Sequence, residues 1–386
     1  MFKLLSKEII LRYQNGRDVV PGFATYIDKH NPVLMHCYGW QDYSDAYDNY
    51  MITISRDNGK SWSEPYVKWK GVKVPEGLVR YGEPAAFFDT DTGKLITLTN
   101  RSLYPKDSLD VGRKNDLVMQ TYTPFNNSWS EEKSLELSSH MSFSFPLKIS
   151  SGRIIFPGQN WYLDEQGKPY HYKGCWCPAG VITNMLGDYK ADGSIEWKLS
   201  KPLIPDLDRT SRGFYEAAIA ELRNGTLVMI LRGDNSMFPE KPGYKWMSFS
   251  EDRGETWSEA EPLSFINGDM IESGSNGSTL FRSIKTGDLY WMGNLCIYGE
   301  RPKGNYPRTS LVIAKMQEEP FGLIRDSIFV IDEKGFNDSS GLQLSNFRYH
   351  QDRLTGDVIL YLTRIGERDK KNWQDADYYK YRIELQ

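Results

Sequence analysis

One short unit recurs along the chain: a turn that contains glycine, followed by an apolar run of strand length. Five copies carry the glycine, at 92–100, 151–159, 224–232, 286–294 and 355–363. The segment 31–39 is a sixth copy without it, and each copy follows another short apolar run. Short apolar runs between glycine-rich turns are typical of antiparallel hairpins, so the chain is predicted to be all-β. The copies lie roughly 60–70 residues apart, which leaves room for a sheet of about four strands and long loops.

The two ends of the chain each carry a strand that the repeat does not use. The segment 5–13 (LSKEIILRY) precedes the first copy, and 376–385 (ADYYKYRIEL) follows the last. Pairing them completes the last sheet and removes an exposed edge. The predicted fold is a six-bladed β-propeller whose last blade is closed by the N- and C-terminal strands. No linker rich in Pro, Gly or Ser interrupts 1–386, so one domain is expected.

Composition limits the classes of partner. The net charge is -4, which argues against a nucleic-acid or anionic-membrane partner, and aromatic residues make up 13%, which suits sheets and carbohydrate-binding clefts. The N-terminal segment lacks the apolar run of a signal peptide, so a cytoplasmic protein is expected, or a secreted one if a leader has been removed. The four cysteines show no zinc-binding spacing; we expect free thiols, no metal and no cofactor.

Two octapeptides share the pattern Ser-x-Asp-x-Gly-x-Ser/Thr-Trp, at 55–62 and 250–257. Turn chemistry accounts for their residues, because the aspartate can accept backbone hydrogen bonds, the glycine can adopt a positive φ and the tryptophan can pack against strands. A structural role is therefore predicted for six residues: Asp57, Gly59, Trp62, Asp252, Gly254 and Trp257.

These octapeptides resemble the Asp-box repeat of the sialidase (neuraminidase) superfamily, and the six hairpins resemble its six-bladed propeller. The resemblance implies a carbohydrate-binding cleft where the innermost strands begin. Charged and polar residues are concentrated beside those strands, where burial is costly unless a partner or a ligand compensates the charge. The candidates from this set are Arg17, Arg80, Glu83, His140, Tyr215, Glu216, Arg348 and Tyr349.

Local matches to the superfamily suggest roles. The segment 215–232 (YEAAIAELRNGTLVMILR) is similar to the one that carries a glutamate and an arginine, which maps Glu216 and Arg232; the segment 308–315 (RTSLVIAK) maps Arg308. The resemblance implies that arginines hold a substrate carboxylate, that the glutamate assists a tyrosine nucleophile, and that a loop aspartate is the acid/base. For the last role Asp45 is preferred, ahead of Asp48 and Asp42.

Two departures from the superfamily leave the mechanism open. Arg17 is displaced from Pro21 by three residues, and 341–347 (GLQLSNF), where the nucleophilic tyrosine belongs, contains none. Tyr349 or Tyr215 is the alternative. A variant mechanism uses Glu83 and Glu216 as a pair of carboxylates, as in related arabinanases.

Three functions follow from these patterns. The first is a sialidase-like, exo-acting glycoside hydrolase that cleaves a terminal, acidic sugar. The second is a polysaccharide lyase for uronate-containing glycans, in which an arginine such as Arg348 neutralises the carboxylate and Tyr349, His350 or His140 removes a proton. The third is a non-catalytic propeller that binds glycans.

Overall fold

The computed structural model describes residues 2–109 and 112–385, and they contain 29 strands, three single-turn 3₁₀ helices and no α-helix. The described residues fall into two compact units. The first unit draws on Met1–His140, Asn337–Leu342 and Asn346–Gln386, and the second on Met141–Phe336 and Gln343–Ser345. The prediction of a single domain over 1–386 stays a prediction.

The first unit contains three antiparallel sheets. One is formed, in order, by β2 (Asp18–Tyr26), β3 (Leu34–Tyr43), β4 (Ala46–Ser55) and β5 (Tyr66–Trp69). The next has β6 (Val72–Val74), β7 (Gly77–Asp89), β8 (Lys94–Pro105), β9 (Lys114–Thr123), β10 (Ser128–Trp129) and β11 (Lys133–Ser134), with the 3₁₀ turn Pro124–Asn126. The last has the order β1 (Phe2–Leu11), β29 (Tyr378–Leu385), β28 (Val358–Thr363) and β27 (Arg348–Gln351).

The second unit also contains three main sheets, with a two-stranded ribbon beside the first. The first sheet is β12 (Leu147–Lys148), β13 (Ile154–Phe156), β16 (Met185–Tyr189) and β17 (Ile195–Leu199), and the ribbon is β14 (Gln159–Trp161) with β15 (Gly180–Ile182). The second sheet is β18 (Tyr215–Glu221), β19 (Leu227–Arg232), β20 (Lys245–Ser250) and β21 (Glu261–Pro262). The third is β22 (Thr279–Arg282), β23 (Leu289–Asn294), β24 (Ser310–Glu318), β25 (Phe321–Leu323) and β26 (Phe329–Glu333). The 3₁₀ turns are Tyr172–Gly174 and Arg325–Ser327.

The six predicted repeats are six strands that each pair with the strand before them: β3, β8, β13, β19, β23 and β28. The copy at 151–159 differs from the expectation, because β13 ends at Phe156 and the chain enters the ribbon. Pro157 and Gly158 follow directly. Proline has no N–H to donate to a sheet ladder and glycine is a poor strand former, so the strand ends there.

The predicted pairing of the terminal strands is confirmed within the first unit. β1 and β29 run antiparallel, with Phe2 opposite Leu385 and Leu11 opposite Tyr378. On β29, Tyr381 and Ile383 are fully buried. The C-terminal strand therefore contributes core residues to its sheet as well as a hydrogen-bonded edge for β1.

Both octapeptides form a tight turn between the third and fourth strands of a sheet. In the first, the Asp57 carboxylate accepts hydrogen bonds from the Ser61 amide (2.9 Å) and hydroxyl (2.6 Å), and Gly59 has a φ of 78°. The hydrogen bonds from Ser61 lower the pKa of Asp57 to about 2. In the second, Thr256 donates in the same way to Asp252 at 2.9 and 2.6 Å, and the φ of Gly254 is 86°. Trp62 and Trp257 are half-buried.

We expect Asp57→Ala and Asp252→Ala each to lower the melting temperature by about 2–6 °C without loss of activity, because the carboxylate organises only its own turn. Thermal melts and activity assays of both variants measure this. The matching Asp→Asn variants keep one acceptor oxygen, so they should melt between the parent and the alanine variants. An inactive variant with the melting temperature of the parent would contradict the structural role.

Candidate functional site

Glu216 lies in a β-bulge in the first strand of its sheet. The pairing of β18 with β19 skips from Tyr215 to Ala218, and Glu216 in the bulge has a φ of 47°. A glutamate in the left-handed region costs free energy, and such residues persist where the surrounding structure holds them and cluster at functional sites. The bulge turns the Glu216 side chain out of the regular alternation of the strand.

Glu83 occupies an equivalent bulge in the first unit. The pairing of β7 with β8 skips from Gly82 to Ala85, and the φ of Glu83 is 50°. Two glutamates that were candidates from sequence thus share the same rare backbone conformation at the same place in their sheets. The conformation is not a property of the residue type, since glutamate has no preference for a positive φ.

The Glu216 carboxylate is buried, with one oxygen bound and the other free. Its Oε1 accepts hydrogen bonds from Arg232 Nη1 (2.6 Å) and the Ser142 hydroxyl (3.4 Å). Its backbone N–H donates to Gln159 Oε1 at 2.8 Å, which holds the bulge in place. Oε2 has no hydrogen-bond partner among the residues that the structure describes, and the whole residue is only 8% exposed. A buried carboxylate oxygen without a partner is costly, and a ligand hydroxyl or proton can satisfy it.

Arg232 and Arg308 lie beside this carboxylate. Arg232 Nε donates to Ser275 Oγ (2.8 Å) and its Nη2 donates to Asn305 Oδ1 (3.0 Å). These two hydrogen bonds fix the orientation of the guanidinium group. Arg308 is also buried, and its partners are all neutral oxygens. They are Asn305 O (3.0 Å), Ser275 O (2.5 Å), Gln343 Oε1 (3.3 Å) and Ser345 Oγ (3.3 Å).

The charges of this group do not balance. In the part of the chain that the structure describes, Arg232 has Glu216 as its ion-pair partner at 2.6 Å, and Arg308 makes no ion pair. Burial alone would raise the pKa of Glu216, but Arg232 and Arg308 outweigh it and lower the pKa, so the carboxylate is ionised at neutral pH. Burial and Arg232 lower the pKa of Arg308. Two guanidinium groups therefore share one carboxylate, which leaves a buried positive charge suited to an anion.

Lys245 lies behind the same group and is almost completely buried. Its ammonium nitrogen donates to the backbone oxygen of Asn276 and, at 2.9 Å, to Asn276 Oδ1. Burial and the neighbouring Arg232 lower the pKa of Lys245 well below its usual value. Lys245 was not among the residues predicted from sequence, because a lysine at the start of an apolar strand gives no signal beyond its position.

Tyr215 forms a wall of the group. Its hydroxyl donates to the Pro178 carbonyl oxygen, and its ring lies 5.7 Å from the Arg232 guanidinium. Burial and the nearby Cys177 thiol raise the pKa of Tyr215. A hydroxyl that already donates a hydrogen bond and has a raised pKa is poorly suited to nucleophilic attack. This geometry therefore favours a packing role for Tyr215.

In the first unit, Glu83 is paired with Arg348. Arg348 Nη2 lies 2.9 Å from Glu83 Oε2 and its Nε donates to Gly22 O at 2.6 Å, while the Tyr47 hydroxyl donates to Glu83 Oε1 at 3.1 Å. Tyr349 follows Arg348 on β27, and alternation along a strand directs its side chain to the opposite face of the sheet. The structure thus brings together Glu83 and Arg348 but places Tyr349 on the other side of the strand.

A second charged group in this unit contains the predicted Arg17 and Arg80. Asp42 joins them, at 3.4 Å from Arg17 Nη1 and 2.8 Å from Arg80 Nη1. Arg17 also lies 3.6 Å from Asp48, and Arg80 2.9 Å from Asp107. Both arginines therefore have carboxylate partners, in contrast to Arg308. The sequence offered Asp42 only as a third candidate for the acid/base, and its contact with both arginines could not be predicted, because the β3–β4 ladder is irregular between Gln41 and Tyr43.

Asp45 occupies the turn between β3 and β4, with a φ of 56°, and its side chain is exposed. Its carbonyl oxygen accepts a hydrogen bond from the Tyr104 hydroxyl at 2.6 Å, which fixes the turn. His140 is half-buried, and burial together with Arg113 lowers its pKa to about 4, so it is neutral at pH 7. Neither observation tests the roles predicted for these residues.

His350, the base of the lyase alternative, lies in an aromatic cluster of the first unit. Its ring meets Tyr26 edge-on at 5.7 Å and stacks on Tyr361 at 5.9 Å. Burial lowers the pKa of His350 to about 4. His350 is buried and packs against two aromatic rings, which favours a structural role. Its role as the base of the lyase alternative stays a prediction.

Within residues 2–109 and 112–385, no group of three or more His, Cys, Asp or Glu side chains could hold a metal ion. No helix of those residues is long and apolar enough to span a membrane. The four cysteines are free thiols.

No protein-family model and no curated protein sequence matches the chain. Among solved structures, it is similar to a protein of unknown function from Dyadobacter fermentans, at 14% identity and a TM-score of 0.65, over 100% of this chain and 99% of that one. A mutant of the NanB sialidase from Streptococcus pneumoniae gives 14% and 0.62, over 97% and 70%. The α-L-arabinanase from Penicillium chrysogenum, complexed with arabinobiose, gives 13% and 0.56, over 99% and 98%.

The fold is the sialidase-like, six-bladed β-propeller. The predicted fold class is confirmed by these neighbours together with the six main sheets of the two units. At identities of 13–14%, the likeness carries the fold and no substrate.

Proposed function

We propose that this protein is a glycoside hydrolase that binds a terminal acidic sugar beside Glu216. The observation that carries the proposal is the buried group of Glu216, Arg232 and Arg308, with one positive charge in excess and one carboxylate oxygen without a partner. An anionic ligand would compensate the charge of Arg308. Sialidase and arabinanase structures share the fold, which supports a carbohydrate as the ligand.

Arg308 is the proposed anchor of the sugar carboxylate, assisted by Arg232. Guanidinium groups bind carboxylates through paired, charge-assisted hydrogen bonds, and burial strengthens them because water does not compete. Arg232 is already bound to Glu216, so it holds the catalytic carboxylate and the substrate in one fixed arrangement. Arg17 and Arg80 are less suited to this role, because they share Asp42 and each has a further carboxylate partner, Asp48 or Asp107.

Glu216 is proposed to stabilise the positive charge that develops at the anomeric carbon when the glycosidic bond breaks. An ionised carboxylate is suited to this role, and the lowered pKa of Glu216 keeps it ionised. Protonation of the leaving oxygen requires a separate acid, and the acid/base role of Asp45 stays a prediction. Glu83 as a second carboxylate and Tyr349 as nucleophile stay predictions that mutation of each residue tests separately.

The proposal is tested first by substrate preference. We expect the parent to cleave methylumbelliferyl glycosides of N-acetylneuraminic acid or glucuronic acid in preference to the neutral glucoside. Arg308→Gln should lower kcat/KM for the acidic glycoside by at least about 100-fold, the loss of a buried charge-assisted contact. It should change the rate on the glucoside little, because the glucoside has no carboxylate to bind.

The control is Arg223→Gln, since Arg223 is an exposed arginine of the same unit that pairs with Glu318 at 2.6 Å. It should leave kcat/KM unchanged. An ultraviolet-absorbing unsaturated uronate as product would favour the lyase instead. Tight binding of an acidic glycan without cleavage by the parent would favour the non-catalytic propeller. Equal loss on acidic and neutral glycosides in Arg308→Gln would contradict the role of Arg308.

A further inference from the structure

Trp176 is the most exposed tryptophan that the structure describes, at 70%, in the loop between the 3₁₀ turn Tyr172–Gly174 and β15. Its indole lies over the guanidinium of Arg212, with 4.4 Å from the guanidinium carbon to the ring centroid. Arg212 is only 4% exposed. The buried guanidinium therefore covers one face of the indole, and the rest of the ring is exposed to solvent.

Arg212 is held from several sides. Its Nη1 lies 3.5 Å from Asp234 Oδ2 and 3.4 Å from Asn305 Oδ1, and its guanidinium is 5.2 Å from the Tyr215 ring. A cation fixed in this way gives the indole a preferred orientation through a cation–π interaction. A surface tryptophan without a neighbouring cation would have no such preferred ring orientation.

Hydrogen bonds connect Arg212, which supports Trp176, to the Glu216 group. Asn305 Oδ1 accepts hydrogen bonds from both Arg212 Nη1 and Arg232 Nη2, and Arg232 binds Glu216. The chain of contacts from Trp176 to the catalytic carboxylate thus runs through two arginines and one shared amide oxygen. All of these residues belong to the second unit.

We propose that Trp176, supported by Arg212, is a stacking platform for the sugar ring next to the terminal acidic sugar, that is, for the leaving group. An exposed, orientationally fixed indole face is complementary to the apolar C–H face of a pyranose, and burying both faces removes apolar surface from water. The inference rests on the proposed function, and it adds that the substrate is a glycan of at least two sugars.

The test compares two substrates with the same terminal acid. Sialyllactose has a sugar leaving group and methyl N-acetylneuraminide does not; the corresponding uronate pair is a glucuronic-acid disaccharide and methyl glucuronide. We expect Trp176→Ala to raise KM for the disaccharide or trisaccharide by about 10-fold, as expected for one lost stacked ring, and to leave the methyl glycoside unchanged. Trp176→Phe should retain most of the affinity. Phe336→Ala removes a fully exposed aromatic of the same unit and is the matched control.

The outcomes separate the two proposals. Equal effects of Trp176→Ala on both substrates, or no effect on either, overturn the platform while the hydrolase stands. If the parent cleaves neither substrate, titration calorimetry with the same glycans decides: a Kd that Trp176→Ala weakens for the longer glycan alone supports the platform and overturns the hydrolase. Absence of both binding and cleavage in the parent overturns both.

Discussion

Glu216→Gln is expected to lower turnover of an acidic glycoside by at least about 100-fold while the protein keeps its fold. Glutamine has the same shape, and its amide oxygen can still accept the hydrogen bond from Arg232 that the structure places at 2.6 Å. What disappears is the negative charge that the transition state requires. We therefore expect the loss in kcat rather than in KM, measured with the glycoside that the parent prefers.

Glu221→Gln is the control on the same strand. Glu221 ends β18, and its carboxylate accepts hydrogen bonds from Ser150 at the opposite end of the strand. Its replacement should leave kcat unchanged. Circular dichroism and thermal melts of both variants report whether the fold is intact. A Glu216→Gln enzyme with the turnover of the parent would remove Glu216 from the mechanism.

Removal of residues 376–386 is expected to abolish cooperative folding of the first unit. The deletion removes β29, which pairs with both β1 and β28 and buries Tyr378, Tyr381 and Ile383 completely. Each buried side chain of this size contributes about 2–5 kcal/mol to the free energy of unfolding when compared with alanine, which is a large part of the stability of a domain.

Two point variants provide a graded form of the same test. Ile383→Ala should destabilise the protein by about 2–5 kcal/mol, because a large buried side chain leaves a cavity. The adjacent Glu384→Ala removes a half-buried side chain on the other face of β29 and should have a much smaller effect. Urea unfolding measures both. A truncated protein that melts like the parent would show that the terminal strand is dispensable.

The fold could be predicted from sequence because turn and strand signals are local. A glycine turn followed by an apolar run marked one strand in five of the six main sheets, and the unused strands 5–13 and 376–385 predicted the pairing of β1 with β29. β13 ends before its predicted copy does, whereas β3 and β8 run beyond theirs, to Tyr43 and Pro105. The local signal for the end of β13, Pro157 with Gly158, was present in the sequence.

The candidate site could be predicted in part. Glu216 and Arg232 were predicted together from the resemblance of 215–232 to a segment of the sialidase superfamily, and they are in contact. The excess charge of Arg308 could not be predicted, because it depends on neutral partners such as Ser275 and Gln343 that are distant in sequence. The positive φ of Glu216 could not be predicted from sequence either, because it arises from a bulge that tertiary contacts hold in place.

We propose that the Glu216 group binds the carboxylate of a sugar. The most direct measurement is a crystal structure of Glu216→Gln soaked with sialyllactose and, separately, with a glucuronic-acid disaccharide. We predict that the carboxylate of the terminal sugar lies within about 3 Å of the Arg308 guanidinium, the distance of a charge-assisted hydrogen bond. A sugar bound with its carboxylate directed to solvent, or no sugar beside Arg308 with either glycan, would contradict this role of the Glu216 group.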